Sequence, residues 1–381
     1  MTEKTAENLR VCLLTARKMA AIASIALAGR QSAAILQGVF SRAVPDVGQS
    51  RYGMIKNSSG QVLDSVVVGC EKPDHFVIHC HGNPLLAEQI VQVLVQAGAV
   101  VQSPQDYAMQ GFRASSKTLI EAEAKLAMTQ AATLEAALWL ARQIDGGLSA
   151  WATDWINAKS LDINALKSQS RAIIARSDIA RRVIKGVRIA LVGAPNSGKS
   201  TLLNWLAGQQ TAIVSDTAGT TRDWVSMICR IGVLRAEIID TAGLDEAIAA
   251  RNPIEQAAQE AARHTAAQSD LILHLIDSTR PSLNAVRMAF DVPILKVFTK
   301  IDLVQNWTAL SDGVAVSAIA DRGLDALCAA IFKTLQVENI DYTQPITFTP
   351  RQHGLLTQLA ACAEEPAARA MLTELLDNYG S

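Results

Sequence analysis

Several features that mark special classes of protein are absent from this chain of 381 residues. Its six cysteines are scattered and never take C-x-x-C spacing, so neither a disulfide scaffold nor a cysteine-rich metal module is predicted. The formal net charge is −1, which argues against broad electrostatic binding to nucleic acid or to an anionic membrane. No apolar run approaches the roughly 20 residues that cross a bilayer. We therefore expect a cytoplasmic protein with reduced thiols and no membrane contact, and its length favours about two to three domains.

A short loop between a predicted strand and a predicted helix carries the strongest motif. Residues 193–200 read GAPNSGKS, after the apolar run 187–192 and at the start of a helical pattern. The glycines allow backbone N–H groups to turn towards phosphate oxygens, and Lys199 reaches the β- and γ-phosphates. The Ser200 hydroxyl is placed for Mg²⁺. The loop therefore predicts a nucleoside triphosphate site, with Lys199 as a catalytic residue.

Three further segments, in the right order, predict that the base is guanine. The DTAG sequence at 240–243 follows an apolar run, so Asp240 lies at a strand end where it can hold magnesium. The TKID sequence at 299–302 follows another run, and the Asp302 carboxylate can accept hydrogen bonds from guanine N1 and N2. The VSA sequence at 316–318 would offer a backbone N–H to the guanine oxygen.

One position in this set is unusual, because GTPases usually carry Asn where this chain has Thr299. A hydroxyl makes fewer contacts than an amide, so we expect somewhat weaker nucleotide binding and no change of base. The predicted GTP contacts are Gly193, Asn196, Ser197, Gly198, Lys199, Ser200, Thr201, Asp240, Gly243, Thr299, Lys300, Asp302, Ser317 and Ala318.

The pattern of apolar residues divides the chain into regions. Residues 1–112 mix short strand-like and helix-like runs and predict an N-terminal α+β domain. Residues 117–185 have apolar positions at helical spacing, which predicts two or three packed helices. Residues 187–336 form the predicted P-loop GTPase domain, with a parallel sheet and flanking helices. We predict a multi-domain fold of α/β and α+β type, in which a helical domain (113–186 and 337–381) is split by the inserted GTPase domain.

Residues 212–223, AIVSDTAGTTRD, together with Pro195-Asn196, resemble the TrmE–Era family of GTPases. The resemblance extends over roughly residues 11 to 336 to the tRNA-modification GTPases of that family. It is carried there by YG at 52–53, GQVLD at 60–64, HCHG at 79–82, IEAEA at 120–124 and the domain order.

The resemblance implies a GTP-hydrolysing switch that requires K⁺ and Mg²⁺. In such proteins the loop asparagine, here Asn196, helps to bind K⁺, which neutralises charge on the phosphates as an arginine finger would. Further K⁺ oxygens would come from the following loop, and Thr221 would complete the magnesium shell. The implied K⁺ ligands are Asn196, Ser215, Thr217 and Thr220, and the implied Mg²⁺ ligands are Ser200, Thr221 and Asp240.

A glutamate positions the attacking water in this family, and Glu255 is the matching candidate as a second catalytic residue. A solvated helix carboxylate is the alternative for Glu255. The resemblance also implies a homodimer, tRNA as substrate, and an FAD-dependent partner protein in wobble-uridine modification.

Some positions depart from the family. The turn at 16–20, ARKMA, has no glycine, and Val77 stands where the family has a glutamate, so folate binding is not expected. The chain ends DNYGS, without the family's Cys-x-Gly-Lys motif, and its helical segments are short, which weakens the case for the tRNA and FAD-partner roles. Two functions therefore stay open: the GTPase subunit of the tRNA wobble-uridine enzyme, or a paralogue that keeps the switch for regulation or assembly and has lost the modification chemistry.

Two charged or metal-binding patterns allow more than one interpretation. The HFVIHCH sequence at 75–81 resembles a metal site, but a strand end leading into a helix explains it better. The basic residues Arg171, Arg176, Arg181, Arg182, Lys185 and Arg188 fit either a solvated helix face or contacts to tRNA phosphate.

Overall fold

The computed structural model describes residues 9–209, 225–240, 260, 263–280, 291–304 and 313–377. The chain forms two compact units, one mainly of the residues up to Ala122 and one from Glu123 to Leu376. Within the described residues, no helix is both long and apolar enough to span a membrane.

The first unit is an α+β domain built on a six-stranded sheet. Its elements are β1 (Arg10–Leu13), β2 (Ile22–Ala28), α1 (Ser32–Val39), β3 (Ser50–Lys56), β4 (Val62–Lys72), β5 (His75–His81), α2 (Pro84–Gln96), β6 (Val100–Val101) and α3 (Pro104–Ala114). The strand order is β3-β4-β5-β2-β1-β6, and only the β1–β6 pair is parallel.

Alternating burial along β4 explains how this sheet gains its core. Val66 and Val68 are buried on the face that packs against α2, while Val67 between them is exposed. Helix α2 begins sharply because the Asn83 side chain accepts hydrogen bonds from two backbone N–H groups and Pro84 occupies the first turn. The HCHG sequence is thus a strand end followed by a helix start, as predicted.

Four helices precede the nucleotide domain along the chain and two follow it. The first of the six begins in the residues of the first unit and ends in those of the second. The six helices are α4 (Leu119–Met128), α5 (Leu134–Asp145), α6 (Gly147–Asn157), α7 (Ile163–Lys185), α10 (Pro350–Ala361) and α11 (Glu365–Leu376). Helix α7 packs against α10, and α6 packs against both α5 and α11. Trp139 is fully buried and meets the Tyr342 ring edge-on at 5.1 Å.

The stretch 117–185 holds four helices, where two or three were predicted. Thr133 starts α5 by accepting a hydrogen bond from Ala136 N at 3.2 Å, and Gly146 separates α5 from α6. Helix α3 was also missed, although Ser103-Pro104 is a typical helix start. These breaks depend on single capping residues, which apolar periodicity does not reveal.

The rest of the second unit is an α/β domain with a six-stranded sheet and flanking helices, as predicted. Its elements are β7 (Val187–Val192), α8 (Lys199–Gln209), β8 (Val225–Ile231), β9 (Leu234–Asp240), β10 (Leu271–Asp277), β11 (Ile294–Thr299), β12 (Gly313–Ala315) and α9 (Leu324–Thr334). The strand order is β12-β11-β10-β7-β9-β8. All neighbours are parallel except β8, an antiparallel edge strand that the sequence analysis did not anticipate.

The continuous apolar runs in this sheet are typical of strands that are covered on both faces. Along β10, six consecutive residues from Leu271 to Ile276 are buried. Because parallel strands end at one edge, the residues after β7, β9, β10 and β11 meet there, which is where ligands bind in such sheets.

Three arginines of α7 donate hydrogen bonds to backbone carbonyls outside the helix. Arg182 donates to the Leu335 carbonyl at 2.6 Å, Arg176 to the Pro345 carbonyl at 2.8 Å and Arg171 to the Ala360 carbonyl at 3.3 Å. Arg188 pairs with Glu237 at 3.0 Å. The three contacts made by α7 tie this helix to the segments that return from the nucleotide domain. Arg171, Arg181, Lys185 and Arg188 are exposed, so both interpretations of the basic row stay predictions.

Candidate functional site

The phosphate loop is a tight turn that accepts only glycine at its first position. A Cβ on Gly193 would lie 2.5 Å from the Leu275 carbonyl oxygen and 2.8 Å from the Ser197 hydroxyl. At Asn196 the backbone has φ of 64°, and at Gly198 it has φ of 93°. Asparagine and glycine are the residues that adopt such left-handed conformations most readily. The loop is therefore built so that its backbone N–H groups can converge on a phosphate.

Lys199 and Ser200 begin the helix that follows the loop, as predicted. The Lys199 ammonium donates to the Gly193 carbonyl at 2.8 Å and to the Ala194 carbonyl at 3.1 Å, so it lies across the loop. The Ser200 hydroxyl donates to Asp240 Oδ2 at 3.1 Å, while Asp240 Oδ1 is buried without a partner in the described residues. A hydroxyl and a carboxylate in contact are the hard oxygen donors that Mg²⁺ prefers.

The base-recognition segment is bonded to the phosphate loop by two consecutive side chains. The buried Thr299 hydroxyl is 2.7 Å from the Ser197 carbonyl and 3.2 Å from the Ile276 carbonyl. Lys300 donates from its ammonium to the Asn196 carbonyl at 2.6 Å. These bonds fix the distance between the part of the site that would hold the base and the part that would hold the phosphates.

A cavity of about 250 Å³ lies beside this segment. Asp302 is exposed there and accepts a hydrogen bond from the Ser317 hydroxyl at 2.5 Å, which orients its carboxylate. The Ala318 N–H has no acceptor among the described residues and is available to the guanine oxygen. The cavity is lined by Gly198, Thr201, Leu202, Thr299, Lys300, Asp302, Leu303, Val316, Ser317, Ala318 and Ile319.

Two apolar side chains on this cavity are unusually exposed for their size. Ile319 is 83% exposed and Leu303 is 66% exposed. Apolar walls with a few polar groups that fix orientation are characteristic of small-ligand sites, and the flat faces of a purine match them. The structure thus gathers every predicted GTP contact that lies within the described residues around one edge of the sheet.

Some predicted residues lie outside the described part of the chain. They are Gly243 of the GTP contacts, Ser215, Thr217 and Thr220 of the potassium ligands, Thr221 of the magnesium ligands, and Glu255. Their roles stay predictions.

Asp277 was missed by the sequence analysis, although it ends a strand at the same edge as Asp240. Its carboxylate accepts a hydrogen bond from Lys300 at 2.7 Å and, on the other oxygen, from the Thr279 hydroxyl at 2.7 Å. Burial by itself would raise the pKa of Asp277, but these hydrogen bonds outweigh it and hold the pKa below its usual value. Its position directly after a buried strand was the available signal.

The histidines of β5 form local polar contacts in the first unit. Asp64 is 9% exposed and accepts hydrogen bonds from His81 through both the backbone N–H and ring Nδ1, at 2.9 and 2.7 Å. His79 shares a hydrogen bond of 2.9 Å with the Ser24 hydroxyl. No cluster of three metal-ligating side chains occurs in the described ranges. Val77, at the position where the resemblance implies a glutamate, is buried, and its side chain has no hydrogen-bonding group.

Substitutions at Thr299 should change GDP affinity in opposite directions. Thr299 has one hydroxyl proton for two nearby carbonyls, whereas an asparagine amide donates twice. We expect Thr299→Val to weaken GDP binding about tenfold, because the buried Ser197 carbonyl loses its donor, and Thr299→Asn to strengthen it about threefold. Titration of a fluorescent GDP analogue measures both, and equal affinities in the three proteins would show that the hydroxyl does not matter.

Comparison with known proteins agrees with this geometry. The family described as 50S ribosome-binding GTPase matches residues 188–300. The chain is similar to the tRNA modification GTPase MnmE of Paramagnetospirillum magneticum, with 29% identity over 388 residues, or 92% of this chain and 87% of the relative. It is 31% identical to MnmE of Methylorubrum populi over 309 residues, which cover 72% of this chain and 68% of the relative.

Among solved structures, Era of Aquifex aeolicus bound to GDP and AlF4⁻ is 27% identical and covers 48% of this chain and 69% of its own. The TM-score of that match is 0.32. The relatives align with both units, and the nucleotide site has the residues needed to bind GTP. The chain therefore belongs to the MnmE family of tRNA modification GTPases and is a GTP-hydrolysing enzyme.

Proposed function

We propose that this protein is a GTPase switch that requires Mg²⁺ and K⁺ and acts in tRNA wobble-uridine modification. The observation that supports the switch most directly is the convergence of Lys199, Ser200 and Asp240 at the sheet edge, where Ser200 and Asp240 are 3.1 Å apart. We also propose the domain boundaries given above, with residues 1–112, 113–186 plus 337–381, and 187–336 as the three domains.

The described residues fit both ions. Among the described residues, one buried oxygen of Asp240 has no partner, as expected of a carboxylate that holds Mg²⁺ directly or through water. The Asn196 side chain is exposed, and in the described chain its amide has no hydrogen-bond partner. An amide oxygen beside the phosphates suits K⁺, which would neutralise charge that develops between the β- and γ-phosphates.

The chain's own residues supply the remaining steps. Lys199 would leave the loop carbonyls for the β- and γ-phosphate oxygens and stabilise negative charge there. Asp302 and Ala318 would select guanine through hydrogen bonds. Glu255 is our candidate for positioning water. Hydrolysis would release the segments around 213–223 and 240–255, which lie outside the described residues except for Asp240.

Hydrolysis should be faster in KCl than in NaCl at equal ionic strength, and Asn196 should be required for the difference. Asn196→Gly removes the amide but keeps a residue that tolerates the left-handed backbone. We expect this variant to lose most of the potassium stimulation, about tenfold or more. Asn204→Ala, an exposed amide on α8, is the matched control and should keep it. Equal rates of the unaltered protein in the two salts would contradict the potassium assignment.

The role in tRNA modification comes from the relatives, which are named tRNA modification GTPases and align with 92% of this chain. We extend it to a cytoplasmic homodimer that works with an FAD-dependent partner on tRNA. Mass spectrometry of wobble nucleosides from a deletion strain tests it, because loss of the modified uridine is expected. Complementation by the gene with Lys199→Ala should fail to restore the modification.

Two features of the first unit favour a second function. The buried Val77 removes the acidic group that the family uses there for folate, and the turn at 16–20 is exposed and lacks glycine. A paralogue that keeps GTP hydrolysis as a regulatory or assembly switch would tolerate both changes. Unchanged wobble nucleosides in the deletion strain, together with potassium-stimulated hydrolysis in the purified protein, would select this alternative.

A further inference from the structure

The Asp277 carboxylate, at the end of β10, connects to the phosphate loop through one side chain. Its side chain is 13% exposed and pairs with the Lys300 ammonium at 2.7 Å. The same ammonium donates to the Asn196 carbonyl at 2.6 Å. The other oxygen of Asp277 is held by the Thr279 backbone N–H at 2.9 Å and by the Thr279 hydroxyl at 2.7 Å. Hydrogen bonds within its own loop therefore hold the Asp277 carboxylate, and the carboxylate in turn holds the Lys300 ammonium.

Both residues that follow Asp277 in this chain of contacts have strained backbones. Asn196 has φ of 64° and Lys300 has φ of 59°. For a residue with a side chain, this left-handed region costs free energy unless neighbouring bonds enforce it. The bond from Lys300 to the Asn196 carbonyl is one such enforcing contact. Without Asp277 the ammonium would retain fewer acceptors, and its long side chain would sample other positions.

Asp277 need not touch the nucleotide to influence the conformation of the phosphate loop. Asp277 would act through Lys300 on the backbone of Asn196, whose amide is the potassium ligand in the proposed function. We infer that Asp277 is a positioning residue for the potassium site: it holds Lys300 against the phosphate loop and so keeps Asn196 in the conformation that presents its amide to the ion. This inference rests on the proposed potassium-dependent hydrolysis.

Replacement of the carboxylate tests the inference. Asp277→Asn keeps the size of the side chain and removes its charge. We expect the K⁺ concentration for half-maximal GTP hydrolysis to rise about fivefold or more, while turnover at saturating K⁺ stays within about twofold, because K⁺ binding itself can select the correct loop conformation. A general loss of structure would instead lower turnover at every K⁺ concentration.

A binding measurement gives a second readout that does not depend on turnover. The affinity of a fluorescent non-hydrolysable GTP analogue is measured in KCl and in NaCl. We expect the ratio of the two affinities to fall towards one in Asp277→Asn. In the Lys300→Met background the same substitution should have little further effect, since the residue through which it acts is gone.

Glu237→Gln is the matched control, because it removes a carboxylate from another ion pair of the same sheet, Arg188–Glu237 at 3.0 Å. It should leave both potassium readouts unchanged. The inference is overturned if Asp277→Asn needs no more K⁺ than the unaltered protein, or if its effect adds fully to that of Lys300→Met. If the unaltered protein makes no distinction between K⁺ and Na⁺, the proposed potassium dependence fails first and the inference fails with it.

Discussion

Lys199→Ala should lower GTP turnover by about 10²- to 10³-fold, which is the largest catalytic effect that we expect of a single substitution in the described site. In the structure the Lys199 ammonium has two acceptors on the loop, the carbonyls of Gly193 and Ala194. When the phosphates bind, this charge lies where negative charge grows during bond cleavage. Among the described residues, Lys300 cannot replace it without moving, because Asp277 and Asn196 already engage its ammonium.

Single-turnover hydrolysis measures this loss separately from nucleotide binding. Lys333→Ala, an exposed lysine in the last turn of α9, removes the same charge elsewhere in the domain and should leave the rate unchanged. A Lys199→Ala protein that hydrolyses GTP at more than about a third of the normal rate would contradict the assignment of this loop as the triphosphate site.

Glu123→Ala should cause the largest loss of stability, about 3 kcal/mol or more for the helical part of the second unit. Glu123 on α4 is 7% exposed, and its two oxygens accept hydrogen bonds from Arg351 at 2.8 and 2.7 Å. Gln352 donates to it as well, at 2.7 Å. The substitution takes the carboxylate from the Arg351 guanidinium, which is 27% exposed and keeps the Glu374 and Leu375 carbonyls as acceptors. It also leaves the buried Gln352 amide without its Glu123 acceptor, and breaking such a pair from one side is costly.

Thermal unfolding monitored by circular dichroism tests this expectation. Removal of both charges, as Glu123→Leu with Arg351→Met, should recover much of the loss, because no buried charge then remains unpaired. Glu365→Gln is the control, since Glu365 is 38% exposed where Glu123 is buried, and loss of its pair with Arg369 on α11 should have a smaller effect. If the double variant were no more stable than Glu123→Ala, packing and not the unpaired charge would be the cause.

The phosphate-binding and base-binding motifs could be predicted from the sequence, because each is a short stretch of consecutive residues. The loop at 193–200 and the segments that begin at Asp240 and Thr299 each follow an apolar run, and parallel strands bring such ends together. The sequence analysis therefore predicted that these segments meet at one edge of the sheet, as they do, and their contacts with phosphate and base stay predictions. It could not find the role of Asp277, because the contact with Lys300 joins residues 23 positions apart through a geometry that only the folded sheet creates.

Some residues that the sequence analysis interpreted from their residue type alone form tertiary hydrogen bonds in the structure. The basic row on α7 suggested solvent or RNA, yet Arg176 and Arg182 bind backbone carbonyls more than 150 residues away in sequence. Gln143 gave no signal at all. In the structure it bonds Ile346 N at 3.1 Å and the Gln344 carbonyl at 3.2 Å, and so joins α5 to the segment that leads into α10. Neither periodicity nor composition encodes such partners.

Helix α7 is an uninterrupted helix that packs against α10 and leads directly into the first strand of the nucleotide domain. Its 23 residues correspond to a length of roughly 35 Å. Near the end of the helix, Arg182 donates a hydrogen bond to the Leu335 carbonyl at 2.6 Å. Nearer its middle, the Ser177 hydroxyl accepts one from Thr347 N at 2.8 Å. Because these contacts join α7 to residues at and beyond the end of the nucleotide domain, a fluorescent label near Ile163, at the start of the helix, would test whether a change at the nucleotide site reaches that end.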